Sequence, residues 1–544
     1  MIKSVFRWFL LGAVVGQVLS AEIPRPVTTN TVMVSMRDGV KLATDIYLPP
    51  GVSPWPVVLM RTPYNKTGMA TPGQSATRLG YAIVIQDTRG RFGSEGENLP
   101  FPRDAEDGFD TVAWIQQQGW CNGKIGTFGG SALAITQLQL AGTGADLACQ
   151  HLAVGGPSLF GDVVYTGGVF RKALVEDWLR LNQFSPRGLE LWTGHSFYDA
   201  YWAARDVSRH YRHVNVPAVH IGGYYDIFAQ ATIDAFNGYQ LKAGPRARGH
   251  QKLLMGPWTH GVLTDKAGDL TFPNSSRPPN NVHDQIRWWE YYLKGVNNGV
   301  AQLPAVTYYV MGDVKETNAP GNVWRTAEQW PPVPTREMRW YLHGDLTFSP
   351  QKAKEDQTVA YLYDPKQPAP TFGGYQLSIP AGPRDQRPVE ERPDVLVFSS
   401  EPLPEPLEVT GQVRAKLFVS SDAPDTDFLV RLCDVYPDGA SYNICEGIIR
   451  ARYRHSFLRE DLLKPGKVYP LEIDLWSTSM VFNRGHRLRV HITSSSAPGY
   501  DPNPNTGEPL RWSERTAVAS NAIHLSSRCP SYLELPVSLE RWSH

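Results

Sequence analysis

One serine, Ser131, stands where a short Gly-rich apolar run gives way to a helix-forming one. Lys124-Ile125-Gly126-Thr127-Phe128-Gly129-Gly130 precedes it, and residues 132–140 follow. Strand, sharp turn and helix in that order constrain the fold strongly, because such a turn is strained and tolerates only small flanking residues. It lifts the hydroxyl above the sheet and aims a helix N-terminus at the same point. The full nucleophile-elbow pattern has a glycine two positions after the serine, where this chain has Leu133. Only Gly-x-Ser remains, and a buried serine in a Gly-rich turn accounts for that much without any chemistry.

Two later segments shift the balance. Residues 216–223 read as a buried strand that ends in Tyr224-Tyr225-Asp226, and residues 252–257 as another, followed by Trp258-Thr259-His260. Loops at the carboxyl ends of strands in an open parallel sheet face one crevice. Serine, acid, histidine is also the chain order of an α/β-hydrolase triad. Ser131, Asp226 and His260 are therefore read as nucleophile, orienting acid and general base. Upstream, residues 56–60 and 81–85 read as further buried strands, and residues 31–36 and 40–48 alternate around Arg37-Asp38-Gly39 as a hairpin. Residues 104–117 are amphipathic, with Phe109, Val112, Ala113 and Ile115 as the apolar stripe. Strands alternating with helices as far as His260 call for a parallel sheet covered on both faces.

Other motifs recur in one order along the chain. They are Arg61-Thr62-Pro63-Tyr64-Asn65-Lys66, Asp87-Thr88-Arg89-Gly90-Arg91-Phe92-Gly93-Ser94-Glu95-Gly96, Asp394-Val395-Leu396-Val397-Phe398 and Asp434-Val435-Tyr436-Pro437-Asp438-Gly439. With the serine, Asp226 and His260 segments, this set resembles the cocaine esterase / X-prolyl dipeptidyl peptidase family of α/β-hydrolases, which includes α-amino acid ester hydrolases and glutaryl cephalosporin acylases. The resemblance covers nearly the whole chain after the N-terminal segment. It implies the same triad, with the Tyr64 hydroxyl and the Ala132 backbone N–H as an oxyanion hole. Two departures stand out: Ala132 where the family usually has Tyr, which widens the acyl pocket, and Ala134 where Gly is usual.

Length and composition bound the rest. A chain of 544 residues exceeds one compact core and calls for two or three domains. A formal net charge of zero leaves nucleic-acid binding without an electrostatic basis. Lys3 and Arg7, an apolar stretch from Trp8 that weakens toward Leu19, and small residues Ser20 and Ala21 read as a secretory signal peptide over residues 1–21. Gln17 interrupts the stretch, which is short for a membrane anchor. The mature protein is thus expected to be secreted or periplasmic and to lack a membrane span. Of the five cysteines, Cys433 and Cys445 flank a turn and Cys121 and Cys149 flank the serine strand and helix. Each pair is a candidate disulfide or two buried thiols. No spacing suggests a metal site, and no cofactor is called for.

Residues 22–330 are assigned to the hydrolase domain. Residues 157–214 interrupt its alternation as a helical, aromatic-rich insertion expected to cap the crevice, with Phe160, Tyr165, Phe170, Trp178, Trp192, Phe197, Tyr201 and Trp202; most of these are expected to pack the cap on the body, with one or two as candidates for the acyl pocket wall. Residues 288–294 read as a last helix, residues 306–311 as one more strand, and residues 330–334 as a linker. Residues 331–544 then show short alternating segments, among them 413–419, 427–435 and 487–493, in β-sandwich patterning. The family resemblance makes this a jelly roll of the galactose-binding-like kind. The Gly-rich loop 87–97 lacks the Gly-Lys-Ser/Thr ending of a phosphate cradle and reads as a structural loop with an Asp–Arg pair.

These features point to an exported serine hydrolase of small carboxylic esters or amides that works through an acyl-enzyme. A homo-oligomer stays open. An X-Pro dipeptidyl peptidase or α-amino acyl hydrolase needs acids to hold the substrate ammonium. Ile227, Phe228 and Ala229 after Asp226 supply none, and Asp162 is the one candidate, equally a helix-start residue. A catalytically inactive jelly-roll binding protein is the reading from another class, which the triad argues against.

Overall fold

Near-continuous apolar runs build the middle of the molecule. The computed structural model describes residues 30–332, 334–509, 514–540 and 542. The N-terminal segment read as a signal peptide lies outside these. A hairpin, β1 (Asn30–Ser35) and β2 (Lys41–Tyr47), leads into β3 (Trp55–Thr62), β4 (Ala82–Asp87), β5 (Cys121–Gly130) and β6 (Cys149–Ala153). After the cap come β7 (Ala218–Gly223), β8 (Lys252–Gly256), β9 (Val306–Val310) and β10 (Val323–Ala327). They form one ten-stranded sheet in the order β1-β2-β4-β3-β5-β6-β7-β8-β9-β10. All neighbours from β4 to β9 are parallel, while β1, β2 and β10 are antiparallel additions at the two edges. β4 is buried at every position, as a strand covered on both faces must be. The chain goes from β3 to β4 on one side and then returns to lay β5 on the other side of β3. Such a reversal opens a crevice beyond the carboxyl ends of the strands. Tyr64 follows β3 there, and Ser131 follows β5.

Helices α1 (Asp104–Gln116) and α2 (Ala132–Ala141) pack on one face, in the cluster of Val57, Leu59, Val112, Ile115 and Leu138. α2 is buried on every side. α1 corrects one expectation: its buried stripe runs through Asp107, Gly108, Thr111, Val112 and Ile115. Phe109 falls on the opposite side, 39% exposed, with Arg37 over its ring. Gly108 is what lets α1 come so close to α2, since a Cβ there would lie 3.2 Å from Leu140.

The cap is less helical than its composition suggested. It starts with a π-helical turn (Leu159–Val164) and a two-residue hairpin, then α3 (Lys172–Leu181), α4 (Pro186–Gly194) and a short turn (Ala200–Ala203). Most of its aromatic rings pack on one another, as in the parallel pair of Trp178 and Trp192, which Phe101 of the hydrolase body extends. Phe197 is exposed. Two more helices of the hydrolase part follow, α5 (Ala229–Lys242) and α6 (Gln285–Lys294). Asp284 caps α6 through the Ile286 and Arg287 N–H groups, and Gly295 ends it in the left-handed conformation.

Past β10 the chain turns all-β. A seven-stranded sheet contains β11 (Thr335–Leu342), β12 (Gln357–Tyr363), the long β14 (Leu407–Ser421) and β17 (Tyr469–Phe482). A four-stranded sheet contains β13 (Leu396–Ser399), β15 (Asp427–Val435), β16 (Ser441–Arg450) and β18 (Arg487–Thr493). Their inward residues share one apolar cluster with Tyr224, Phe236 and Val306 of the hydrolase part, so the core is continuous across the junction. Met311 adds two backbone bonds to β17, with Ser479 O and Val481 N, both 2.9 Å. The cap is tied to the same β domain through Gly167 O, Phe170 O and the Ala173 and Tyr198 N–H groups.

All five cysteines are free thiols. A bulge after Leu432 sets Cys445 opposite Leu432 and Cys433 opposite Asn443, so the two do not face each other. Cys149 faces Gly126, well along the strand from Cys121. Among the described residues no helix is long and apolar enough to cross a membrane.

Candidate active site

The turn at Ser131 is as strained as the sequence required. Ser131 has φ 60° and ψ −126°, a region L-residues avoid. Its N–H bonds Ala153 O on the adjacent strand, and its carbonyl accepts from Ala134 and Ile135 at the start of α2. Gly129 has φ 142°, and a Cβ there would sit 2.5 Å from that of Leu133. The leucine that breaks the motif thus lies over a glycine that makes room for it. Ala134 is matched in the same way by Gly155, where a Cβ would come within 2.5 Å of the alanine methyl. Gln137 locks the strand end, donating to Gly129 O at 3.0 Å and accepting from Thr127 Oγ1 at 2.7 Å.

Asp226 and His260 come to this turn from the ends of β7 and β8. His260 Nε2 lies 3.0 Å from Ser131 Oγ, and Nδ1 lies 2.7 Å from Asp226 Oδ1. The carboxylate holds the proton on Nδ1 and leaves Nε2 to accept from the serine. Asp226 is fully buried, and its second oxygen accepts from the Phe228 N–H at 3.2 Å. The two loops are stitched together by Tyr224 N to Gly256 O and Tyr225 N to Trp258 O.

Tyr64 reaches the same point from β3. Its hydroxyl accepts from Trp178 Nε1 at 2.9 Å. Burial pushes the phenol up, opposed by hydrogen bonding with Trp178 and Ser131, by the charge of Arg91 and by the Ala132 backbone. Tyr64 and Ala132 are thus brought together with Ser131. The 87–97 loop supports this corner: Asp87 accepts from Lys66 N at 2.7 Å, and Arg91 Nε donates to Pro63 O at 3.0 Å. The Asp–Arg pair read within the loop is instead made with α1, between Arg89 and Asp107 at 2.6 Å.

Ser131 opens into a narrow slot. Phe101, Ala132 and Ile135 belong to the hydrolase body; Val163, Leu174, Val175, Trp178 and Trp192 come from the cap. Ile227 and Phe228 follow Asp226, and Leu377 arrives from the β domain. Apart from the serine hydroxyl and the Trp178 and Trp192 indoles these side chains are wholly apolar, and none is acidic. Asp162 is not among them. Its carboxylate accepts from the Ser158 N–H at 2.7 Å and caps the π-helical turn. Burial pushes its carboxyl up to about 8. Trp178 and Trp192 are two of the eight cap aromatics singled out in the sequence, of which one or two were candidates for the pocket wall. Leu377 carried no signal at all, since nothing local says that a loop of the second domain returns to the serine.

Residues 38–189 and 180–262 match the X-Pro dipeptidyl-peptidase (S15) family, and residues 298–534 match the X-Pro dipeptidyl-peptidase C-terminal non-catalytic domain. A cocaine esterase of Rhodococcus sp. (strain MB1 Bresler) is 34% identical over 578 residues, covering 93% of this chain and 98% of the relative. An aminopeptidase from a marine sediment Thaumarchaeota archaeon superposes with a TM-score of 0.78 at 26% identity, covering 95% of this chain and 99% of that one. An α-amino acid ester hydrolase superposes with a TM-score of 0.77 at 25% identity, covering 97% and 99%. Matches that run from the hydrolase sheet through the β domain show that the chain belongs to the X-Pro dipeptidyl-peptidase (S15) family of serine hydrolases.

Proposed function

We propose that this hydrolase cleaves esters of neutral, apolar acyl groups, aromatic ones included, by acyl transfer to Ser131. The observation that carries the proposal is the slot beside Ser131, apolar on every wall and without a carboxylate. His260 takes the Ser131 proton as Oγ attacks the carbonyl carbon, and Asp226 stabilises the imidazolium that forms. The oxyanion is held by the Tyr64 O–H and the Ala132 N–H at the start of α2. His260 then protonates the leaving alcohol and later activates the water that frees the acid. Kinship with a cocaine esterase supports an ester substrate.

The aminopeptidase and the amino-ester hydrolase among its structural neighbours point the other way, toward a substrate ammonium. That reading is disfavoured because Asp162 does not line the slot and is engaged by the Ser158 N–H, and an unpaired ammonium in an apolar slot is costly. Export of the protein, to the periplasm or beyond, is proposed on the basic and apolar N-terminal segment. Sequencing the N-terminus of protein recovered outside the cytoplasm tests it, with a start at residue 21 or 22 expected. For the chemistry, the test is a fluorophosphonate probe followed by peptide mapping. One adduct, on Ser131, is expected. An unlabelled protein that still turns over esters would overturn the assignment.

A further inference from the structure

We propose that Trp178, on α3 of the cap, is a positioning residue for the oxyanion: its indole N–H, donated to the Tyr64 hydroxyl at 2.9 Å, turns the phenol proton toward the reacting carbonyl oxygen. The inference rests on the reading of Tyr64 as an oxyanion donor. A phenol oxygen has one proton to give and lone pairs to accept with, while an indole N–H only donates. Trp178 therefore occupies a lone pair of Tyr64 and cannot take its proton. The Ala132 backbone adjoins the same phenol, and its N–H, too, can only donate. The phenol proton is left to the Ser131 side, where the substrate oxygen becomes charged during attack.

The indole is fixed before substrate arrives. Its ring lies parallel to Phe101, with centroids 5.6 Å apart, and to Trp192 at 6.2 Å, each within 2°. Phe184 packs at 4.8 Å. A donor held this way needs no reorganisation at the moment charge develops, which is where such groups act. α3 is in turn seated on the β domain, through Ala173 N to Pro498 O at 3.0 Å and Ser378 Oγ to Ala173 O at 3.2 Å. The direction of the Tyr64 proton thus depends on the cap being in place.

The test separates the N–H from the ring. Trp178→Phe, and replacement of Trp178 by 3-benzothienylalanine, which keeps the bicyclic shape and puts sulfur in place of N–H, are assayed on an acetate ester, whose acyl group is too small to exploit the aromatic wall. Both are expected to lower kcat about tenfold, the effect of one hydrogen bond, with KM unchanged. In a Tyr64→Phe background neither should lower kcat further, because the proton being positioned is gone. The benzothienyl variant keeps the packing, so misfolding of Trp178→Phe leaves the test intact. Unchanged kcat in the benzothienyl variant, or the same loss in both backgrounds, overturns the positioning role alone. A Tyr64→Phe enzyme with undiminished kcat overturns the oxyanion reading as well.

Discussion

Holding a serine at φ 60° costs about 1–2 kcal/mol, and the surrounding contacts offset it: Ala153 O holds the Ser131 N–H, and Gln137 holds Gly129 O. An alanine at 131 would adopt the same backbone and lose only the hydroxyl. Ser131→Ala is therefore expected to keep its melting temperature and lose kcat by about a million-fold. Circular dichroism and an ester assay on the same preparation check it, and more than a few per cent residual activity would refute the nucleophile. At this scale much of the site was legible. Ser131, Asp226 and His260 each terminate a strand whose apolar run is plain in the sequence, and chain order did the rest. Leu133 and Ala134 looked like defects because their compensations, Gly129 and Gly155, are contacts made in space. Trp178 was visible only as an aromatic, since the partner of an indole N–H leaves no trace in sequence.

Between elements, Arg171 at the start of α3 bridges the cap, the loop after Asp226 and the β domain. It is buried and donates to three carbonyls: Asp162 O at 2.7 Å in the cap, Ile227 O at 3.0 Å beside Asp226, and Tyr375 O at 3.3 Å in the β domain. Arg171→Met would leave these acceptors unpaired at about 1–3 kcal/mol each. A lower melting temperature is expected together with a lower kcat, because Ile227 adjoins Asp226. Scanning calorimetry and steady-state kinetics measure both, and an unchanged melting temperature would show that the junction does not depend on Arg171. The strands of both domains were readable from their periodicity, and β15 and β18 match the expected segments end for end. The cap was readable only as an aromatic-rich interruption. Its rings pack mainly on each other, so they impose no helical period, and a π-helical turn and a hairpin replace part of the expected helix.

For the molecule as a whole, the hydrolase and β parts are joined by a buried cluster of one histidine and two carboxylates as well as by apolar surface. His486 Nδ1 lies 2.9 Å from Asp434 and Nε2 lies 3.2 Å from Asp313, which follows β9. Burial pulls this imidazole down, but the two carboxylates overcome it and raise it to about 9. Burial likewise pushes Asp313 up, yet His486 and backbone donors bring it to about 2. At Asp434 burial prevails and the carboxyl stays raised. A histidine whose folded value lies above its ordinary 6.5 stabilises fully below 6.5 and loses the effect as pH rises through about 9. Asp313, held below 3.8, contributes above that pH and loses its effect as pH falls toward 2. The melting temperature is thus expected to exceed that of His486→Gln by most between about pH 4 and 6.5, with the gap closing toward pH 9 and above. A gap independent of pH would show that His486 is not charged in the fold.

None of this junction was legible beforehand, because its three members come from segments whose meeting is set by the packing of two domains. That same packing brings Leu377 to the slot beside Ser131, which has no carboxylate in its lining. The direct test of that slot compares kcat/KM for a phenylacetyl ester and the matching phenylglycine ester at a pH where the amine is charged. The expected result is a clear preference for the neutral phenylacetyl ester that disappears in Ser131→Ala along with all turnover. A preference for the amino ester would contradict it and return Asp162, or another cap carboxylate, to the role of ammonium partner.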